Sequence, residues 1–489
     1  MTEPKRWSLV AMEPKWRAFA AMGTSYIVIV FGTTLSFIVL SPIAEDFDVG
    51  LGAVGWTVII EALIVSALVL PLGALADALG RRRVMLTGMV IFAAGAALSA
   101  VAPTFVLLLG ARTVMAIGNA LVQAIGTGIL VAAFPPEERG LAIGSQTTAV
   151  AVGAAIGPLL GGFGLAVMSW NALFLILAAA AALSVVLIAA AIPADEATGQ
   201  TERPSFDYAG SALAAIGITL VVVVLNNPFG LSWLSLVTLV LVALTVVVFV
   251  IFVRWELRHD NPMLELRLFA IDAFRRSALV RIIGFSGSSA ATLLLPVYVL
   301  SVREASEAAV GLVLFGFAVG MAVGAQLSGR VYDRVGPRPS SLAGLILQIG
   351  LCLFLAVAGT EIGLLPLGLI NAALGLGVAM WNVPNNSNIL GATPPESFGV
   401  GGAFTNLTRT MGNVISQALT AGIVVAVMAG QGFDIPLGDV ADTAGAVPSF
   451  VDGWTVAFYT AAAITAVALL VALRLRAPAP RDDAVRAPT

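Results

Sequence analysis

The chain has 489 residues, of which 59% are hydrophobic and only 11% charged, against roughly 25% charged in soluble globular proteins; its mean hydropathy is +0.99. So few charges cannot cover the surface of a soluble protein of this size, which excludes a cytosolic enzyme, a nucleic-acid binder and a disordered scaffold. Lys+Arg 25 against Asp+Glu 28 gives no sign of a polyanionic partner, and one Cys with one His makes a disulfide framework and a zinc or thiol centre implausible.

A helix needs roughly 20 apolar residues to cross the hydrocarbon core, and about fourteen such stretches follow one another. A basic head over 1–17, with Lys5, Arg6, Lys15 and Arg17, comes first; Trp7 and Trp16 suit the headgroup zone. The first span, near 18–41, is too long and too far from a small-residue cleavage site for a removed signal peptide. Five more are expected near 54–76, 84–102, 104–133, 141–166 and 171–192. Two lie near 209–226 and 233–253, and six near 278–300, 308–329, 340–358, 362–389, 399–428 and 454–473.

The loops alternate in charge. Arg81, Arg82 and Arg83 follow span 2, Arg139 span 4, Arg203 span 6, and Arg254, Arg258, Arg267, Arg275 and Arg276 span 8. Arg330, Arg334 and Arg338 follow span 10, and Arg474, Arg476, Arg481 and Arg486 close the chain. The opposite loops carry almost only Arg303, and the last of them holds Asp434, Asp439, Asp442 and Asp452. By the positive-inside rule both termini are expected in the cytoplasm.

An internal repeat divides the chain. Gly73, Asp77, Gly80 and Arg82 at the end of span 2 recur at the same spacing as Gly329, Asp333, Gly336 and Arg338 at the end of span 10. Such repeats imply two related halves with a substrate site between them near the midplane. The offset is too long for six spans, so spans 7 and 8 are an insert. The expected organisation is a head (1–17), an N-terminal six-helix bundle (18–192), a linker with two spans (193–258), a C-terminal six-helix bundle (259–475) and a tail (476–489).

The Gly-x-x-x-Asp-x-x-Gly-x-Arg loop resembles the signature of the major facilitator superfamily. Fourteen spans, Phe206-Asp207-Tyr208-x-Gly210, Trp255-Glu256 and Pro262-Met-Leu-Glu-Leu-Arg-Leu-Phe269 resemble its drug:proton antiporter branch. Gly153, Gly157, Pro158, Gly161 and Gly162 in span 5 resemble the antiporter motif of the superfamily's exporters. Physically, Gly153 and Gly157 allow close helix approach, and Pro158 removes a backbone donor and can kink the helix. A tight, bent helix between bundles suits a gate; ordinary close packing is the plainer alternative. The resemblance implies a cytoplasmic latch at Asp77, Arg81, Arg82, Asp333 and Arg338, with Asp77 pairing with a helix N-terminus or an arginine.

Glu61 is the only carboxylate deep in a predicted span. An ionised acid there costs at least ~2.5 kcal/mol and usually marks an ion path or proton relay, so Glu61 is the candidate for reversible protonation. Arg112 in span 4 matches the family's span-4 arginine and is expected at similar depth, so the two are expected to pair. The sequence departs from the family by placing Thr33 where the drug antiporters carry a span-1 Asp, and Glu61 where span 2 usually carries Tyr. One interpretation is that the acid has moved between neighbouring helices. Candidate cavity residues are Thr33, Thr34, Asn119, Gln123, Gln146, Phe285, Trp381, Asn385, Asn406 and Arg409, each also open to a packing role. Arg281 enters span 9, where its side chain can snorkel to the surface.

The expected protein is thus an all-α membrane protein with the major facilitator fold, and not an enzyme. It is expected in a bacterial plasma membrane, working by alternating access. The expected function is proton-coupled efflux of small amphiphilic or drug-like compounds; the alternatives are export of a specific lipid or anionic metabolite, or a non-transporting sensor. Its partners are a small-molecule substrate, protons and membrane lipids, with no nucleic acid, metal or cofactor, and the protein is expected to be a monomer.

Overall fold

In the computed structural model the described residues are 13–165, 167–193, 206–227, 235–359, 362–440 and 443–477. Most of the basic head, the middle of the linker, and the tail beyond residue 477 lie outside them, as do the side-chain surroundings of 158–163. Among the described residues, fourteen helices are long and apolar enough to cross a membrane. They are α1 (Pro14–Ile38), α2 (Leu51–Leu79), α3 (Arg81–Ala100), α4 (Phe105–Ala133), α5 (Arg139–Leu165), α6 (Trp170–Ala191) and α7 (Tyr208–Asn226). Then come α8 (Leu236–Glu256), α9 (Asp272–Val302), α10 (Glu307–Val335), α11 (Arg338–Ala358), α12 (Leu364–Ala392), α13 (Phe398–Gly430) and α14 (Ala446–Ala472). α9 is broken between Ser286 and Ala290.

Within the bundles, glycine sets how closely helices approach. α3 and α4 meet at Gly88, Gly95 and Gly118: a Cβ on Gly95 would stand 2.6 Å from the Met115 Cα, and one on Gly118 2.7 Å from the Phe92 Cα. In the other half, Gly316, Gly320 and Gly324 of α10 lie against the Gly368, Ala372 and Leu376 carbonyls of α12. Spacing by four puts small residues on one helix face, so the backbones touch and dispersion replaces the hydrophobic effect that lipid cannot supply. The insert sits at the periphery. α7 packs on α2 and α13, and α8 exposes Leu236, Val240, Val247 and Ile251 where lipid would lie.

Both described ends of the chain reach the Arg-rich end of the molecule. Lys15 bonds Glu138 between α4 and α5 at 2.9 Å, and Arg276 at the start of α9 bonds the Arg474 carbonyl after α14. Among the described residues, hydrogen bonds between the two bundles run only from this end to the middle of the spans. They include Thr148 to the Ala322 carbonyl at 3.3 Å and Gln326 to Thr148 at 3.0 Å. Toward the other end, α5 turns its Gly153 and Gly157 to α1, and α10 its Gly316 and Gly320 to α12, each within its own bundle. The molecule is closed at the Arg-rich end.

If Gly95 is required by the touching backbones, Gly95→Val will overpack the α3–α4 contact and cost about 1–3 kcal/mol. Gly110→Val is the control, because nothing lies within 4 Å of a Cβ there. The first should lower the thermal-unfolding midpoint in detergent and the second leave it unchanged.

Candidate functional site

Glu61 on α2 is buried, and two helices supply its partners. From α1, Thr33 donates to Oε1 at 2.7 Å. From α4, Asn119 Nδ2 donates to Oε1 at 2.9 Å, and Arg112 Nη2 lies 3.5 Å from Oε2. Arg112 also donates to Ser36 of α1, and its guanidinium stands 5.2 Å from the centre of the Phe174 ring on α6. Two opposite charges in low dielectric are thereby compensated and held by neutral donors and an aromatic face. Thr33, at the family's acid position, touches the acid on the next helix, so the two positions share one site.

A second polar group joins the bundles. Gln123 Nε2 donates to Asn119 Oδ1 at 2.7 Å, and Arg409 Nη2 of α13 donates to Gln123 Oε1 at 3.0 Å. Asn406 Nδ2 donates to the Gln123 carbonyl at 2.6 Å. Gln146 donates to Thr127, which also bonds the Tyr26 hydroxyl.

At the Arg-rich end each bundle caps a helix of the other. Asp77 accepts from the Gly399 and Val400 N–H groups, both at 3.0 Å, at the start of α13. Asp333 accepts from Gly140 N–H at 2.7 Å and Leu141 N–H at 2.9 Å at the start of α5. Both carboxylates meet the positive end of a helix dipole and satisfy donors that the helix itself cannot. Glycine is required on the capped turns: a Cβ on Gly399 would stand 2.6 Å from Asp77 Oδ1, and one on Gly140 2.6 Å from Asp333 Oδ1. The two caps differ. Arg81 Nε donates to Asp77 at 2.8 Å, and its Nη2 reaches the Pro395 carbonyl at 2.6 Å across the interface. Asp333 has no arginine within ion-pair distance among the described residues.

Several expected site residues lie elsewhere. Trp381, Phe285 and Asn385 are not in a cavity but inside the C-terminal bundle: Trp381 Nε1 donates to Gln348 at 2.8 Å, its ring meets Phe285 edge-on, and Asn385 donates to Ser341 at 3.0 Å. Thr34 fills the α1–α5 contact, where a Cβ on Gly157 would strike it. Gly153 and Gly157 therefore pack within one bundle rather than at a gate between two; Pro158, Gly161 and Gly162 have surroundings outside the described residues. Arg82 donates to the Ala189 carbonyl of its own bundle, and Arg338 lines a groove with Arg276, Arg474 and Arg476 instead of meeting Asp333. Arg281 does not snorkel. It is 2% exposed and donates to Asn382, Thr408 and the Thr405 carbonyl. Ser36 and Phe174 had no sequence signal, since a hydroxyl and a ring among many acquire meaning only from the cation beside them. A groove of about 1530 Å³ near Asp77, Arg81 and Glu256 lies at the Arg-rich surface and includes neither Glu61 nor Arg409.

Removing Arg112 alone (Arg112→Gln) leaves a buried carboxylate without its cation and should cost about 3–5 kcal/mol. The double change Glu61→Gln with Arg112→Gln should cost less than the sum of the singles in a thermal-unfolding cycle; additive losses would mean that the pair contributes nothing. At the latch, Asp77→Asn weakens charge-assisted bonds that contribute about 1.5–3 kcal/mol. It should therefore raise thiol accessibility at the Arg-rich mouth more than Asp333→Asn, which has no arginine to lose.

The family model described as Major Facilitator Superfamily matches residues 22–417 and again 277–488. The multidrug efflux pump LfrA of Mycolicibacterium smegmatis is 27% identical over 468 residues, covering 94% of this chain and 90% of LfrA. The riboflavin transporter RibZ of Clostridioides difficile is 27% identical over 393 residues, 80% of this chain and 84% of RibZ. The crystal structure of the human organic anion transporter MFSD10 (TETRAN) superposes with a TM-score of 0.69 at 16% identity, over 94% of this chain and 100% of that one; at that identity the likeness concerns the fold. With the family model spanning both halves and fourteen membrane-length helices arranged as in that fold, the chain belongs to the major facilitator superfamily and is a multi-pass secondary transporter of small molecules.

Proposed function

We propose that this transporter exports small amphiphilic or drug-like compounds in exchange for protons, in a bacterial plasma membrane with both termini in the cytoplasm. The observation that carries this is Glu61: one carboxylate deep in a spanning helix, tied to Arg112 and to a polar chain that reaches the opposite bundle. The arginine bias of the loops supports a cytoplasmic closed end, and on that reading this conformer faces outward. A proton entering from outside neutralises Glu61 and removes the opposite charge that Arg112 faces. Asp77 and Asp333 hold the closed state through helix N-termini, and the two bundles rock about the midplane when those caps part. The efflux pump among the relatives supports the direction of transport.

A second reading, export of an anionic compound, is favoured by Arg281 and Arg409. Both belong to helices of the C-terminal bundle and donate to neutral acceptors, Arg409 to Gln123 across the interface, and the carboxylates of that bundle's spans lie at or within two turns of the helix ends.

The test is flux in proteoliposomes with an imposed proton gradient and an amphiphilic fluorescent dye. The wild type should move dye with proton counterflow, and Glu61→Gln should fold normally yet show neither. Full gradient-driven transport by the variant would remove Glu61 from the coupling step. Uptake of acidic dyes alone, without counterflow, would favour the second reading.

A further inference from the structure

We infer that Asn119 and Gln123 form a directional hydrogen-bond wire that carries the protonation state of Glu61 to Arg409, and so to the contact between the bundles; this rests on Glu61 being the coupling residue. The direction follows from donor inventory. A guanidinium only donates, so Gln123 must present Oε1 to Arg409 and Nε2 to Asn119. Asn119 must then present Oδ1 to Gln123 and Nδ2 to Glu61. The arginine at one end thus sets both amides, and the wire closes only on an accepting oxygen at the other. An ionised carboxylate accepts at both oxygens; a protonated one is also a donor.

When Glu61 takes a proton on Oε1 and donates it to Asn119, the amide must turn its Oδ1 toward Glu61 and its Nδ2 toward Gln123. Gln123 then turns its Oε1 toward Asn119, which brings its Nε2 against Arg409. Two donors face each other, and the Arg409–Gln123 bond across the bundles opens. The sign suits exchange: a proton arriving from the open side loosens the closed side. Gln123 and Asn119 are positioning residues here, since neither has to touch substrate.

The charged surroundings leave few competitors. α2 packs on α1, α3, α4, α7 and α13. On these helices, away from Lys15, Arg17, Arg81, Arg82 and Arg83 at the Arg-rich end, the charged side chains are Arg112 and Arg409 alone. Beyond them Glu45 and Asp46 lie on the short helix Leu40–Phe47 at the opposite end, and Tyr26 of α1 is bonded to Thr127. The competing response is local. Thr33 already reaches the Ile29 carbonyl at 3.2 Å as well as Glu61; its hydroxyl can donate there and accept the new proton, leaving the wire untouched.

The experiment measures the distance between spin labels at Leu79→Cys on α2 and Val335→Cys on α10, both exposed near the Arg-rich end, in full-length protein with Cys352→Ala. From alkaline to acidic buffer the wild type should shift from closed toward open by about tenfold in the population ratio, the equivalent of one charge-assisted hydrogen bond. Gln123→Met keeps the length and removes the amide, so it should be loosened at both pH values. Asn119→Leu cuts the wire but leaves Arg409 on Gln123, so it should stay closed at both. A wild-type pH response in either variant overturns the wire and assigns the proton to Thr33. A response that survives in Glu61→Gln overturns instead the assignment of Glu61, which keeps the two failures apart.

Discussion

Inside a bilayer no water reaches a buried charge or a free backbone group, so each must find its partner within the protein. Every functional feature of this chain follows from how that demand is met. Glu61 and Arg112 meet it with each other, and with Thr33, Asn119, Ser36 and Phe174 around them. Arg281 meets it with the carbonyl of Thr405 and the side chains of Asn382 and Thr408. The helix starts at Arg139 and Phe398, whose first N–H groups have no carbonyl within their own helix, meet it with an aspartate from the opposite bundle.

That last solution makes the two halves depend on each other. Asp77 serves α13 and Asp333 serves α5, so neither cap exists within a single bundle. Parting the bundles leaves both carboxylates and four N–H groups to water, which can solvate them at the membrane surface but not at depth. Breakable caps therefore suit the surface end, whereas the Glu61 pair is kept within one bundle. The polar chain through Gln123 links the two kinds of site, because Arg409 bonds it from the other side of the gap.

Close glycine contacts do two different jobs. Gly95 and Gly118 lock α3 to α4, and Gly320 locks α10 to α12, each inside one bundle. Gly73, Gly140, Gly329 and Gly399 lie between bundles, where the backbones touch at the closed end. The sequence motif at Gly153 and Gly157 looks like the second kind and is the first, since its close approach is to Ile27 and Thr34 of α1.

The amino-acid sequence by itself determined the fold class and the number of spans, because the bilayer imposes a fixed length on each helix, and it singled out Glu61 because the bilayer forbids an unpaired charge within it. It also pointed to Arg112 and Asp77, since a charge at an unusual depth or in a repeated loop is visible without knowing its neighbours. The faces of the helices were decided only by tertiary structure. Trp381, Phe285, Asn385 and Thr34 carry the residue types of a cavity yet pack between helices of one bundle. Arg281 has the position of a snorkelling side chain yet turns inward. In a helix apolar on all sides the sequence holds no moment to say which face meets lipid, neighbour or gap; only the packing of fourteen such helices against one another assigns them.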